Sequence, residues 1–427
     1  MGYYRIHLQA VSPFFFGTEL KAELGNRQNY FQTSRMFPQQ TTLLGMLRHQ
    51  LLLQKGYIPI NAHNRDKVNQ LIGRKSFQYE ASNKQQKDFG VIQHLSPVLL
   101  AKEEADYFVA DKNFVRKEGQ QTELLLEFQE DHQDHFFFPV GVQSPNLSFL
   151  DEKEREIIPP TTTWKKSLVR YKYAKEDFFV AKHPFIPLLR DYKTKTYLAN
   201  KTKKQTLDNI FHTVTKVGID KKETSEKDSA GYFKMSYQQM TTTKPIKPLE
   251  KDTPFANTFA QYVLSDAWGF GFYVALKEEA TFKFDTTTRF VTMGKEQSVF
   301  KMTIQSLEEK PYVFVENDDP ELSTNQLYRI TLISDTFVPD EQLLYQHCVF
   351  GNVDSIRFRN IVTNTTDERS YYAQPRKSAA FNLLKRGSLL YLKKDQLEAV
   401  KCILNHRQDF KKIGYNHFII EPQNTNS

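Results

Sequence analysis

The sequence has few cysteines and lacks the motifs of the common enzyme classes. Only Cys348 and Cys402 are present among 427 residues, without the paired spacing of a zinc site, so we expect no disulfide framework, no metal and a reducing compartment. There is no phosphate-binding P-loop, no G-x-S-x-G, no H-E-x-x-H and no dinucleotide fingerprint, and the 17 glycines fall below the average usage of about 7%. These absences argue against the corresponding nucleotide-dependent and hydrolytic enzymes, and no cofactor is expected.

Long apolar segments are also missing. The N-terminal stretch "MGYYRIHLQAV" has no long apolar run after basic residues, and the most apolar helical segment is interrupted by Arg48 and His49. The sequence therefore predicts a soluble, cytoplasmic protein that does not associate with a membrane.

The chain is moderately basic and rich in aromatic residues. It has 58 Lys and Arg against 50 Asp and Glu, which gives a net charge of +8 and a pI near 9.0. This balance suits a polyanionic partner without requiring one. The 34 Phe and 21 Tyr fit a β-rich core as readily as platforms on which bases stack.

One helix is predicted in "MFPQQTTLLGMLRHQLLLQ", residues 36–54. Leucines at positions 43, 44, 47 and 51 form one buried stripe, and Thr41 or Thr42 can serve as N-cap. No acid stands in this helix or at its start, and the nearby charges are Arg35 and Arg48. Because a helix N-terminus favours negative charge, we expect the site to stay open to an external anion. The alternative is an ordinary buried helix capped by Thr.

Alternating strand patterns indicate an α+β protein with two units. Strands are expected within 3–11, 90–101, 106–115, 267–276, 290–304, 328–338, 387–393 and 414–420, with a helix at 394–407. Residues 151–256 are rich in Lys, Thr and Asp, and we interpret them as insertions and a projecting hairpin rather than core. The predicted domains are residues 1–256, with these basic insertions, and residues 257–427.

Three basic segments are candidates for nucleic-acid contacts. The first places cations among aromatics in "WKKSLVRYKYAK", the second surrounds Gly218, and the third is the acid-free "QPRKSAAFNLLKRGS". Like charges held together without counter-ions repel, so a bound phosphate backbone explains such clusters. The candidate residues are Lys165, Lys166, Arg170, Lys216, Lys221, Lys222, Arg376, Lys377, Lys385 and Arg386.

Histidines offer weaker candidates for metal binding and catalysis. "EDHQDHFFF" at 130–138 has potential metal ligands, but we interpret it as a charged loop. His7 or His49 could act as general acid or base in a ribonuclease. His7 lies in a strand pattern and His49 beside a core stripe, so a structural role is favoured for both.

An ordered series of motifs resembles a known family. It comprises "PFFFGT" (13–18), "MFPQQTTLLGMLRHQLL", "LSPVLL" (95–100), "KVGIDKKETSEKDSAGYFK", "GFGFYVAL", "VTMGKEQSVF" (291–300) and "QPRKSAAFNLLKRGSLLYL". In this order they resemble subunit three of the type III-B CRISPR (Cmr) effector, a RAMP protein. The resemblance covers residues from about 3 to 420 and depends on the series rather than on any single motif.

The resemblance implies fold, partners and site. It implies two tandem ferredoxin-like (RRM-like) units with antiparallel sheets, no catalytic activity, and binding of the crRNA 5′ tag beside the large polymerase/cyclase-type subunit and the backbone RAMP subunits. Target RNA would be met indirectly. The RNA-facing residues it implies at the first helix are Gln39, Gln40, Thr41 and Thr42, with Arg35 and Arg48 close by, and at the reduced C-terminal Gly-rich loop they are Lys412, Tyr415 and Asn416.

The sequence departs from the family pattern in two places, and other functions stay open. Lys216 stands where Arg is common, and Lys295 where a second glycine is usual. The alternatives are a RAMP endoribonuclease that processes guide RNA, the corresponding subunit of a type III-A (Csm) complex, and a protein-only scaffold whose basic loops meet acidic partners.

Overall fold

The computed structural model describes most of the predicted core of the chain. It describes residues 1–17, 30–79, 84–109, 114–116, 123–125, 149–151, 156–158, 170–173, 176–179, 185–186, 188–200, 203–204, 206–207, 210–220, 231–240, 268–277, 288–294, 298–315, 327–339, 343–344, 347–350, 355–362 and 376–422. Every structural statement below concerns these residues.

Strands dominate, and helices occur near both ends of the chain. The helices are α1 Gln40–Gln54, α2 Arg65–Ile72, α3 Leu397–Leu404 and α4 Gln408–Lys412, with 3-10 turns at Tyr312–Phe314 and Lys394–Gln396. The strands are β1 Gly2–Ala10, β2 Tyr30–Thr33, β3 Ile92–Leu95, β4 Leu99–Lys102, β5 Ala105–Val109, β6 Phe114–Arg116, β7 Glu123–Leu125, β8 Phe149–Asp151, β9 Glu156–Ile158, β10 Arg170–Tyr173, β11 Glu176–Phe179, β12 Phe185–Ile186, β13 Leu189–Asp191, β14 Ala199–Asn200, β15 Lys203–Lys204, β16 Phe211–Asp220, β17 Gly231–Met240, β18 Gly269–Leu276, β19 Arg289–Met293, β20 Ser298–Leu307, β21 Leu327–Leu332, β22 Val349–Phe350, β23 Ser355–Phe358, β24 Ile361–Val362, β25 Arg376–Lys377, β26 Phe381–Leu384, β27 Leu389–Lys393 and β28 Phe418–Pro422.

The largest sheet is antiparallel and has eight strands. Its order is β13-β5-β4-β18-β1-β20-β19, and β3 also pairs with β18. Tyr4, Ile6 and Leu8 of β1 point to one face and are buried, as period-two alternation predicts. The leucine stripe of α1 joins the same hydrophobic core, which also contains residues from α2 and α4. The predicted strand and helix that open the chain are therefore confirmed.

The sheet crosses the predicted domain boundary at residue 256. β18 lies between β1 and β4, with Ile6 opposite Phe272, and β20 flanks β1 on its other side, with Ile6 opposite Ile304. All eight residues of β18 are buried, which explains its nearly continuous aromatic and apolar sequence. The strands β18, β19 and β20, which the sequence assigned to the second unit, thus belong to the same sheet as β1. The division into two domains at residue 256 stays a prediction, and the main sheet contains strands from both sides of it.

Besides the main sheet, the described residues form several smaller sheets. β22-β27-β21-β28 form an antiparallel sheet that packs with α3 around a second core. The predicted hairpin is present as β16 and β17, and β2 adds to β17 in parallel. Arg190 of β13 and Arg329 of β21 both bind the Glu421 carboxylate of β28, at 2.6–2.8 Å, which joins the edges of two sheets.

Parts of the region interpreted as insertions belong to the core. Leu188, Leu189 and Ile210 are fully buried, and β13 extends the main sheet. The interpretation of 151–256 as outside the core was wrong at these positions, because short apolar stretches between charged ones reach the sheet edge. The mixed α and β composition with mainly antiparallel sheets was predicted correctly.

Candidate nucleic-acid interface

The start of α1 is enclosed by an internal polar network. Gln39, rather than Thr41 or Thr42, is the N-cap, and its carbonyl accepts hydrogen bonds from the amides of residues 42 and 43 at 2.9 and 3.2 Å. The Gln39 Nε2 donates to Asp335 Oδ2 at 3.3 Å, and Tyr415 Oη donates to Gln39 Oε1 at 3.1 Å. Gln39 and the next residue, Gln40, are both buried. Their side chains are thus engaged inside the protein.

Asp335 supplies the negative charge that the helix sequence lacks. Its Oδ1 accepts hydrogen bonds from the Arg386 backbone amide at 3.2 Å and from Arg386 Nε at 3.4 Å. Burial alone would raise the pKa of Asp335, but Arg386 and, more weakly, Arg35 lower it below its ordinary value. The carboxylate beside the N-cap side chain thus comes from a residue nearly 300 positions away along the chain. An external anion at the helix amides stays a prediction.

Arg386 is held in place on three sides. Besides its contact with Asp335, its Nη1 donates to the Val98 carbonyl at 3.0 Å, and its guanidinium lies 4.2 Å from the centre of the Phe37 ring. It is a buried side chain. The absence of acids in the sequence around Arg386 therefore does not leave this side chain without a counter-ion, because Asp335, which follows β21, supplies one.

Tyr415 and Asn416 also point inward. Tyr415 is fully buried, which raises the pKa of its hydroxyl, and it hydrogen-bonds with Thr41. Asn416 adopts a φ of 60° and caps two backbone segments: its Oδ1 accepts from the Phe337 amide at 2.8 Å, and its Nδ2 donates to the Phe337 and Leu404 carbonyls. Both residues were proposed from the resemblance as RNA contacts. Tyr415 instead joins the α1 start to the C-terminal segment, and Asn416 joins that segment to Phe337 and Leu404.

Arg48 lies away from the helix start. It is buried, its Nη1 donates to the Lys75 carbonyl at 3.0 Å, and burial lowers its pKa to about 10. It is therefore an internal hydrogen-bond donor rather than a surface phosphate contact.

The other predicted contacts remain at the surface or have undescribed side chains. Arg35, Thr41, Thr42, Lys385 and Lys412 are partly exposed, and the Arg35 guanidinium lies 5.4 Å from the Phe358 ring centre. Arg376 and Lys377 form β25, paired with β24, while Arg170 lies in β10 and Lys216 in β16. The predicted contacts Lys165, Lys166, Lys221 and Lys222, and the histidine-rich segment 130–138, lie outside the described residues.

The two candidate catalytic histidines differ in how far they are exposed to solvent. His7 lies in the middle of the main sheet, where a Cβ at position 269 would collide with its ring. Burial, followed by the charge of Arg5, lowers the pKa of His7 to about 4. His49 is exposed on α1. Neither is accompanied by a group of metal-ligating side chains in the part of the chain that the structure describes.

Asp335 is the residue that sequence reasoning missed. It is a single acid in the apolar run "RITLISDTFV", and a buried carboxylate requires a cationic or hydrogen-bonding partner. This pattern could have identified Asp335 as an internal anion. It could not have identified Arg386 or α1 as partners, because they come from distant parts of the chain.

Comparison with known proteins identifies the class to which these features belong. A family model described as "CRISPR-associated protein (Cas_Cmr3)" matches residues 6–422, which is nearly the whole chain. The chain therefore belongs to the Cas_Cmr3 family of CRISPR-associated proteins, and the resemblance to the Cmr subunit is confirmed.

Solved structures give weaker similarities. One match is a chain of the "Cryo-EM structure of the Type III-B Cmr-beta bound to cognate target RNA", with 14% identity, a TM-score of 0.42, and coverage of 97% of this chain and 96% of the other. A second, from the same complex with target RNA and "AMPPnP, state 1", has 13% identity, a TM-score of 0.43 and the same coverage. No curated protein matches significantly. TM-scores of 0.42 and 0.43 are too low to assign the fold, so its description depends on the strand pairing given above.

A helix that crosses a membrane must be about 20 residues long and mostly apolar. Within the described ranges, no helix is both long and apolar enough to span a bilayer.

Proposed function

We propose that the chain is a non-catalytic, RNA-binding subunit of a type III-B (Cmr) CRISPR effector that binds the 5′ tag of crRNA. In this proposal it docks the large polymerase/cyclase-type subunit and the backbone RAMP subunits and meets target RNA only indirectly. Its two ferredoxin-like units belong to the same proposal. The observation that carries it is the family match over residues 6–422.

The internal network narrows the proposed RNA contacts. Gln39, Gln40, Arg48, Tyr415 and Asn416 are buried, so they support the interface from within. In this proposal, phosphates are contacted by cations and hydroxyls whose side chains are partly exposed or lie outside the described part of the structure. They are Arg35, Thr41, Thr42, Lys165, Lys166, Arg170, Lys216, Lys221, Lys222, Arg376, Lys377, Lys385 and Lys412. Lys and Arg supply affinity for the backbone, while polar and aromatic side chains distinguish the tag bases.

The environment of His7 supports the non-catalytic part of the proposal. A general acid in RNA cleavage must carry a proton near neutral pH, and a histidine with a pKa near 4 does not. Its position inside a sheet also leaves no room beside it at Gly269.

The test is binding of the purified protein, with and without the large subunit, to crRNA with an intact or a scrambled 5′ tag. We expect tight, tag-dependent and salt-sensitive binding without cleavage. Lys385→Gln should weaken binding to both RNAs and lower the salt slope by about 1, as loss of one phosphate contact does. Lys67→Gln on the exposed side of α2 removes the same charge and should change neither.

Two results would contradict the proposal. Specific cleavage of repeat RNA would establish the ribonuclease alternative and direct mutagenesis to His7 and His49. Binding that ignores the tag in both forms, together with a stable protein pair, would favour the scaffold.

A further inference from the structure

A lysine in the turn after β13 lies beside the contact between two sheets. The turn is closed by Asp191, whose Oδ1 accepts hydrogen bonds from the Thr194 backbone amide at 2.7 Å and from the Thr194 hydroxyl at 3.1 Å. Lys195 has a φ of 59°, and its carbonyl accepts a hydrogen bond from Arg190 Nε at 2.7 Å. These contacts fix the backbone of the turn, so the Lys195 side chain leaves it from a defined position.

The Lys195 ammonium packs on aromatic rings. Its Nζ lies 3.9 Å from the centre of the Tyr192 ring and 5.7 Å from the centre of the Phe108 ring. Within the part of the chain that the structure describes, this nitrogen makes no hydrogen bond or ion pair. A cation–π contact stabilises an ammonium less than a charge-assisted hydrogen bond does, so the protonated form of this amine is weakly supported.

The carboxylates that attract Lys195 are engaged elsewhere. Glu421 binds Arg190 through both oxygens, at 2.6 and 2.7 Å, and Arg329 at 2.8 Å, while Asp191 closes the turn. Burial, and next the charge of Arg190, lower the pKa of Lys195 from 10.5 to about 8, against the attraction of the two carboxylates. At pH 8 about half of the molecules therefore carry a neutral amine at this position.

This side chain is also accessible from solvent. Lys195 is partly exposed, and its neighbours Lys193, Thr194 and Thr196 are exposed. A lysine amine beside an apolar wall and a second cation is activated as a nucleophile, because both features favour its neutral form. A small electrophile can therefore reach Nζ from the solvent side of the turn, while the aromatic rings hold the amine from the other side.

We propose that Lys195 is a site of acylation by small activated acyl donors, either an acyl phosphate or an acyl thioester. The neutral Nζ attacks the carbonyl carbon of the donor, and an amide C–N bond forms. The C–O bond to phosphate or the C–S bond to the thiol breaks, the leaving group departs with the bonding electron pair, and one proton of the nitrogen passes to water. Nothing is oxidised or reduced, and no further reactant is needed.

Acylation changes the charge at the contact between the two sheets. The amide of an acylated lysine is neutral, so the repulsion between Lys195 and Arg190 disappears and the cation–π contact with Tyr192 is lost. Arg190 keeps its ion pair with Glu421. The modification therefore removes one positive charge from this surface and leaves the ion pair between the sheets in place. Because Lys195 is not among the proposed RNA contacts, this inference and the proposed function can fail separately.

The experiment is incubation of the full-length protein with limiting acetyl phosphate or acetyl-coenzyme A between about pH 7 and pH 9. Digestion with chymotrypsin, which does not cut at lysine, and mass spectrometry then give the acetylation rate at each lysine. Near pH 7.5 Lys195 should react about tenfold faster than Lys193, which is exposed in the same turn and meets the same donor. The lowered pKa raises the neutral fraction about a hundredfold over that of an ordinary lysine, and the weaker basicity offsets part of this gain.

The pH dependence gives a second readout on the wild-type protein. The rate at Lys195 should level off above about pH 8, where the amine is already neutral. Tyr192 stays neutral over this range, because burial raises its pKa to about 12, and Glu421, with a pKa of about 2, stays charged. The levelling therefore reports the titration of Lys195 itself.

The unfolded protein is the control for the same residue. In guanidinium chloride the rings and Arg190 no longer surround Lys195, so its rate near pH 7.5 should fall about tenfold and should keep rising up to pH 9. Lys195→Arg keeps the positive charge and should remove the fast site while leaving the rate at Lys193 unchanged. Reaction with one donor alone would identify the donor class. Equal rates at the two lysines, slower reaction in the folded than in the unfolded protein, or no levelling above pH 8 would overturn the proposal.

Discussion

The polar network at the start of α1 and the groove lined by Lys310, Lys401, Lys411 and Lys412 differ in how their charged side chains are paired. In the network, Asp335 and Arg386 are both 8% exposed and neutralise each other. In the groove, no acid stands among the described lining residues, and one of the four lysines, Lys401, binds the exposed Glu398 at 3.1 Å. The difference teaches that a stretch of sequence without acids, such as the one around Arg386, does not show whether its cations are paired until distant partners such as Asp335 are known.

The largest expected effect is loss of the buried carboxylate. Asp335→Ala leaves Arg386 buried without its counter-ion, so the free energy of unfolding should fall by about 3–5 kcal/mol. Urea denaturation followed by circular dichroism measures it. A loss below about 1 kcal/mol, the range of exposed ion pairs, would mean that the network is open to water, and the contrast with the groove would disappear.

The next effect concerns the turn that joins the two regions. Gly414 has a φ of 93°, and a Cβ there would collide with the Ser96 carbonyl and the Gln40 side chain. Gly414→Ala should therefore reduce the free energy of unfolding by about 2–4 kcal/mol. Gly45→Ala is the matched control: it is helical, exposed and meets nothing within 4 Å, and it should stabilise the protein by about 0.5–1 kcal/mol. Thermal unfolding of both variants decides whether the turn is tightly packed.

A smaller effect should appear on acidification. Burial would raise the pKa of Glu421, but hydrogen bonds and charge from Arg190 and then Arg329 lower it from 4.5 to about 2. Its stabilisation is therefore complete above pH 4.5 and is lost as the pH falls toward 2, with a size on the order of 2 kcal/mol. Glu421→Gln should flatten the stability profile across this interval. An unchanged profile would show that Glu421 is not the titrating group.

The smallest effect belongs to the rim of the groove. Glu398→Gln removes the exposed partner of Lys401 and should change the free energy of unfolding by less than about 0.5 kcal/mol. Chemical denaturation of the two proteins measures this change. A destabilisation above about 1 kcal/mol would mean that the pair is shielded from water, as the Asp335–Arg386 pair is.

Local patterns predicted the elements but not their neighbours. The α1 stripe, the β19–β20 hairpin and the β16–β17 hairpin follow from periodicity and turn residues within 15–30 positions. Non-local pairing decided the rest: β18 was expected to open a second unit, and it lies between β1 and β4. Nothing in its apolar sequence specifies which strands flank it.

The candidate site divides in the same way. Residue types indicated an anion near Gln39 and Arg386, and the Asp335 carboxylate lies beside both side chains. Contact of the helix start with a phosphate stays a prediction. The resemblance supplied the family correctly.

The place of β18 also sets an order of events during synthesis. β1 and β4 leave the ribosome early, yet the strand that separates them is made only at residues 269–276, and the other neighbour of β1 ends at residue 307. Until then β1 has no partner in the main sheet, and β4 has β5 on one side but no strand on the side that later meets β18. This part of the sheet can therefore close only after residue 276 has been synthesised, and pairing across so long a sequence separation is slow and leaves open edges prone to non-native pairing.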